Sequence, residues 1–345
     1  MALPSSTYDT ATLVNPDSNL TDFTLIVDLS RMSAAWWTAV DTSDGTKGRA
    51  AKDSGPTELA CDWIDFDSVN ETGLLRVKWS GTLASSGTQT LRIYPPKAAN
   101  ASVAASDTYG SDNAYGSTVI AYWPLSDVND RTSNNYNITE FGNADAGSGI
   151  SRIGGVASAD FGASGDYLTA SISLSSSQEL CFLAWVYPDA SVTTAVRAII
   201  HARPSANNNS YASLNANFGN WRARTYDGST VGQSTGTSTP VASTWQHLIA
   251  YHNGLAERNV YKNGVATTAN TTSLSWSAEQ IWLGSSNTGG IWQYEGAISD
   301  AMIIEDDVYR AEYEYEQSSD QATFWGTWTN VPGSPTVTTK AYWWG

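Results

Sequence analysis

The chain has 345 residues, 34 of them acidic and 18 basic, for a net charge of −16. Only 15% are charged, against about a quarter in ordinary globular proteins, while 41% are hydrophobic, enough for real cores. That balance excludes a wholly disordered chain, and its acidity excludes binding to nucleic acid or to an anionic membrane surface. No apolar run approaches the roughly 20 residues that a spanning helix needs.

The opening residues, MALPSSTYDTATLVNPDS, carry neither the basic nor the apolar region of a secretory leader, so no export signal is expected. Strand patterns come next at residues 23–29 (FTLIVDL), 73–79 (GLLRVKW) and 89–94 (QTLRIY), with small polar and Gly-rich turns between them. Residues 98–117 are rich in Ala, Ser, Gly, Asp and Asn and read as a connector, which places a boundary near 118. Further strands are expected at 180–187 (LCFLAWVY), 245–251 (WQHLIAY), 259–262 and 280–283. Asn263-Gly264 after NVYK is a hairpin signal, since both turn positions want φ > 0. Residues 310–317 (RAEYEYEQ) give the best helix signal, and 326–339, with Pro332 and Pro335, read as extended chain. The expected division is an N-terminal β-domain (1–118), a sandwich (119–318) and an extended aromatic tail (319–345). Cys61 and Cys181 fall in different domains, and a chain of this size needs no staple, so two buried free thiols are expected.

One run of motifs is specific by its order. It begins with IAYWPL (120–125), followed by Asp127, Asn129 and Asp130, then DFGASGDYL (160–168) and ELCFLAWVYPDA (179–190). TWQHLIAYHNG (244–254), VYKNGVAT (260–267) and the long closing stretch 281–316 complete it. This succession resembles the concanavalin A-like, laminin G-type jelly roll. The resemblance implies an all-β fold, an antiparallel β-sandwich with a smaller N-terminal β-domain. Tyr294 stands where that family usually has Phe, so a buried ring would need a polar contact for its hydroxyl. Residues 20–29, Asp53-Ser54-Gly55, Arg76–Trp79 and Thr90–Tyr94 resemble a small β-domain often found before such modules, although Pro95-Pro96 departs from its pattern. That resemblance implies a supporting role.

The scaffold also hosts glucanases, which use carboxylates on one strand of the concave sheet. Glu312, Glu314 and Glu316 alternate suitably, but they fall at the family's terminal helix and read as its solvated face. His201, His247 and His252 do not suggest zinc, because His247 and His252 lie on opposite faces of their strand by parity. His247 reads as a hydrogen-bonded structural residue. No nucleophile elbow or phosphate loop occurs, so a non-enzymatic protein is expected. No cofactor is expected unless it is calcium, for which Asp127, Asn129 and Asp130, or Glu305-Asp306-Asp307, offer ligands; plain turn chemistry is the competing reading. Trp221, Tyr226 and Trp292 are the candidate sugar platforms, whereas Trp185 and Tyr294 read as core.

Laminin G-type modules face the outside of cells, yet no export signal is seen. The expectation is therefore a phage virion surface protein, a capsid decoration or a tail component, made in the host cytoplasm. Its expected partners are other virion proteins or copies of itself, together with cell-surface glycans. Trp325, Trp328, Tyr342, Trp343 and Trp344 would form an assembly element, since a solvated tail has no reason to keep such rings. The alternatives are a glycan-cleaving enzyme or its accessory carbohydrate-binding module, and a bacterial surface adhesin.

Overall fold

A computed structural model describes residues 3, 7–52, 57–162, 165–189, 195–205, 210–236, 239–287, 292–306 and 308–332. Strand accounts for 44% and helix for 10%, and the pairings are antiparallel, so the fold is all-β. Two sheets build the sandwich, a back sheet of eight strands and a front sheet of seven. Central to the back sheet is Glu179–Pro188, which pairs with Gln246–Asn253 on one side and Gly296–Ile304 on the other. Its inward residues Phe182, Ala184 and Val186 join the core between the sheets. Asn263 and Gly264 have φ of 48° and 74°, which closes the expected hairpin. Tyr294 is fully buried, and its hydroxyl donates to the Ala297 carbonyl at 3.3 Å, the polar contact its ring required.

Glu179–Pro188 is apolar on both faces because a third layer covers its outer side. The strands Thr24–Asp28, Thr72–Lys78 and Cys61–Asp67 form a three-stranded sheet of the N-terminal module. Its Ile26, Ile64 and Leu74 pack against Cys181, Leu183, Ile249 and Met302 on the outside of the back sheet. On the other face of this small sheet, Leu25, Val27, Leu75 and Val77 join a second core with Ala50, Leu91 and Ile93. Cys61 and Cys181 are buried and free of any disulfide.

The C-terminal segment departs from the expected extended tail. Helix α1 (Val308–Ser319) is followed by a short helix α2 (Gln321–Trp325) and a strand (Thr329–Val331). The strand pairs with Tyr8–Thr12 at the edge of the N-terminal five-stranded sheet. Trp325 and Trp328 are 1% and 6% exposed in the N-terminal core, so they are not free to serve as an assembly surface. The Trp325 indole donates to the Ile26 carbonyl at 2.8 Å. Tyr342, Trp343 and Trp344 lie outside the described residues. Trp185 is buried as expected, but by α1 and not between the sheets: its indole donates to Ser318 Oγ at 3.2 Å and its ring sits 6.1 Å from Tyr315.

Helix α1 is also not the solvated acidic helix its sequence suggests. Glu314 is buried and bonded to Arg76, which is itself 1% exposed. Arg76 also faces Asp300 Oδ1 at 3.6 Å, and Arg152 holds Asp300 Oδ2 at 2.5 Å. Tyr122 donates to Asp300 Oδ1 at 2.6 Å, with its ring under the Arg76 guanidinium. Burial alone would raise the Asp300 pKa, but Arg152 and Arg76 hold it below the usual carboxylate range. At Glu314 burial outweighs Arg76 and the pKa is raised. Removing one member strands a buried charge, so Arg76→Met is expected to cost about 3–5 kcal/mol in denaturant unfolding. An unchanged unfolding midpoint would contradict the network.

Candidate functional site

Among the described residues the N-terminal module packs on the back sheet and not on the outer face of the front sheet, and alternation decides what that face presents. On Val196–Arg203, Ile200 and Ala202 point into the core, which turns His201 and Arg203 outward. On Asn220–Tyr226, Trp221 and Ala223 point inward, which turns Arg222, Arg224 and Tyr226 outward. Trp221 is 0% exposed and therefore cannot be the sugar platform expected of it. It shares the inner face with Ala223, a pattern legible in WRARTY, where apolar and cationic residues alternate.

Tyr226 and Trp292 do come together, with three residues that the sequence pattern did not assign to a site. His201, Tyr211 and Arg224 join them around a cleft of about 170 Å³, closed at one side by Ser286 and Asn287. The His201 ring lies 4.6 Å from Tyr211 and 5.8 Å, edge on, from Trp292. Tyr226 lies 5.5 Å from Tyr211, and its hydroxyl donates to the Gly228 carbonyl. The Arg224 guanidinium stands 5.1 Å from the Trp292 ring and 5.6 Å from that of Tyr211. Trp292 has φ of 60°, a left-handed conformation that bulky residues rarely adopt, and its carbonyl accepts from Ala198 N–H at 2.7 Å. Strain of this kind persists only where the surroundings hold it, and it gathers at binding sites. Gly289 and Gly290, beside Trp292 in sequence, lie outside the described residues.

A second aromatic row extends the same face. Phe141 stacks on Tyr167 at 4.6 Å, Tyr167 meets Trp282 at 4.5 Å, and Arg203 lies 4.4 Å over Trp282. Toward the opposite edge of the sheet, Arg222 donates to Asn215 Oδ1 at 3.1 Å and Gln233 Oε1 at 3.0 Å. The outward signal in IIHAR and WRARTY was available to the sequence; the contribution of Tyr211 was not, because it depends on strand register.

The calcium candidates form a turn. Asp127 accepts from the Asn129 N–H at 2.9 Å and pairs with Arg131 at 3.0 Å. Asp130 is buried and accepts from the N–H groups of Tyr122, Thr132 and Tyr136. The Asn129 side-chain amide nitrogen donates to Asp127 Oδ2 at 3.0 Å, as in an ordinary Asx turn. Asp306 pairs with Arg310, Glu305 accepts from Gln178, and Asp307 lies outside the described residues. Among the described residues, no group of three or more His, Cys, Asp or Glu is placed to hold a metal ion.

The histidine rings are packing elements held neutral. Burial, assisted by Arg203 and Arg224, pushes His201 down to about 3. His247 lies between Trp185 and Tyr315, and its Nδ1 has no hydrogen-bond partner among the described residues, so ring packing and not the expected hydrogen bonding fixes it. His252 packs on Phe182 and Trp276 in the core. Burial brings both of these to about 3 as well. An unfolded histidine titrates near 6.5, so these three rings stabilise the fold fully only above that value and progressively less as pH falls toward 3. In NMR titrations their ring resonances are expected to stay flat from pH 8 to about pH 4.5. A midpoint near 6.5 for any of them would contradict its burial.

The geometry defines a two-sheet β-sandwich with an aromatic and cationic cleft on its open face. Residues 161–312 match the model of the concanavalin A-like lectin/glucanases superfamily. No curated protein matches the chain. Among solved structures, the botulinum neurotoxin serotype D binding domain is similar at 14% identity and a TM-score of 0.45, over 58% of this chain and 51% of that one. Domain 4 of AbnA, a GH43 extracellular arabinanase from Geobacillus stearothermophilus, in complex with arabinotriose, is similar at 18% identity and a TM-score of 0.45, over 58% of this chain and 98% of that one. The chain thus spans about half the length of the neurotoxin domain it matches.

Proposed function

We propose that the protein is a non-enzymatic carbohydrate-binding protein whose ligand lies across the open face of the front sheet. The observation that carries this is the cleft formed by Trp292, Tyr226, Tyr211 and Arg224. Aromatic faces stack on the apolar faces of sugar rings, and an arginine beside them donates to hydroxyl or acidic oxygens. Cleavage by paired carboxyls would need two of them about 5–5.5 Å apart at the cleft. The outward positions of its central strands, from His201 to Tyr226, hold no Asp or Glu among the described residues, which supports binding over cleavage. In a glycan array with the full chain, Trp292→Ala and Tyr226→Ala are each expected to weaken binding about tenfold with melting temperature unchanged. Binding that survives both substitutions would overturn this placement.

For its setting we propose the surface of a phage virion, with the N-terminal module as the mount. A lectin-like sandwich packed by one face onto a support, with the other left open, supports display at a surface. Mass spectrometry of purified particles is expected to find the chain. Its recovery on intact bacteria and not in particles would favour the adhesin reading instead.

A further inference from the structure

The proposed glycan site carries a charge anomaly that points to its ligand. In a chain of net charge −16, the outward face of the front sheet gathers Arg203, Arg222 and Arg224. Four arginines with buried side chains elsewhere face carboxylates: Arg49 with Glu58, Arg76 with Glu314, Arg152 with Asp300 and Arg310 with Asp306. Arg258 is held by neutral groups, the Asn270 side chain and the Thr272 carbonyl. Arg222 is only 4% exposed and meets the neutral amides of Asn215 and Gln233, leaving Nη2 without a partner among the described residues. Arg224, two residues on and on the same face, has no carboxylate partner among the described residues, and its buried Nε bonds none of them. Its other contacts are the ring faces of Trp292 and Tyr211.

Burying a cation without an anion costs free energy, and placing two side by side adds repulsion. The Arg222 pKa reflects both: burial and then the Arg224 charge bring it down to about 10. His201, which lines the cleft with Arg224 and is 1% exposed, has both ring nitrogens without a partner among the described residues and stays neutral, so it offers no competing charge. An anionic group arriving in the cleft would supply the missing counter-charge. We infer that the ligand is an acidic saccharide, whose carboxylate or sulfate sits on Arg224 with Arg222 behind it while its ring stacks on Trp292 and Tyr226. This rests on the carbohydrate-binding reading and adds the charge of the sugar.

The test uses the full chain against glycans in matched pairs that differ by one acidic group. The pairs are sialyllactose and lactose, trigalacturonate and its methyl ester, and chondroitin sulfate and unsulfated chondroitin oligosaccharides. In at least one pair the acidic member is expected to bind about tenfold or more tightly, the discrimination of a charge-assisted hydrogen bond. That preference is expected to vanish in Arg224→Gln. In the unaltered protein it is expected to shrink severalfold between about 50 and about 300 mM salt, a readout that needs no variant to fold. Sialyllactose or trigalacturonate responding places the carboxylate at Arg224, and chondroitin sulfate alone responding places the sulfate there. Neutral members bound as tightly as acidic ones, or a preference untouched by salt and by Arg224→Gln, would overturn the acidic ligand while leaving sugar binding intact. Failure of every glycan to bind would overturn the function reading, and this inference with it.

Discussion

Asp300 is the point on which the parts of this molecule converge. Its strand, Gly296–Ile304, runs through the back sheet, where φ of 50° at Asp300 turns the carboxylate outward. There it meets Arg76 from the N-terminal sheet, Arg152 from a loop and the hydroxyl of Tyr122. Through Arg76 the cluster reaches Glu314 on helix α1. An ion cluster taken out of water gains little net stability over well-packed apolar residues, but breaking it is costly. Its effect is therefore on geometry. Five segments, carrying Arg76, Tyr122, Arg152, Asp300 and Glu314, must arrive together for every charge to be satisfied.

That cluster sets the path of the C-terminus. With α1 fixed, Gln317 offers its side-chain oxygen to the Ile26 N–H at 2.7 Å, and Gln321 does the same for Asp28 at 3.0 Å. These bonds satisfy the N-terminal sheet's edge backbone, which the next strand of a larger sheet would otherwise pair. Trp325 and Trp328 then close the N-terminal core, and Thr329–Val331 adds a strand beside Tyr8–Thr12. The N-terminal module is thus completed by residues from the far end of the chain, and the sandwich is inserted between its two parts.

The sandwich was readable from sequence because its signals are local and ordered: alternating strands, an Asn-Gly hairpin, and a tyrosine whose hydroxyl had to find an acceptor. The insertion was not, since Tyr8 pairs with Val331 and no local pattern reports a contact of that separation. The aromatic residues just after 319 therefore looked surplus to the fold when Phe324, Trp325 and Trp328 were its missing core. The aromatic cleft was half legible. Tyr226 and Trp292 stood out as aromatic residues in polar company, whereas Trp221 faces the core, as the alternation of its own strand dictates. Arg224 and Tyr211 acquire meaning only from register, which sets Tyr211 opposite Tyr226.

The same architecture explains why a site can exist where it does. A two-sheet sandwich has two outer faces. Here the back sheet's outer face is apolar around Leu183, Ile249 and Met302, the charge buried there, Asp300, is matched by Arg76 and Arg152, and the N-terminal module covers it. The front sheet's outer face carries arginines, amides and aromatic rings, a surface that could not be buried against another apolar layer without stranding its charges. The distribution of residues on two alternating strand patterns thus fixes both the mounting face and the open face. Among the described residues, Arg222 meets neutral amides and Arg224 meets ring faces, so the charge of that face is not balanced within the face itself.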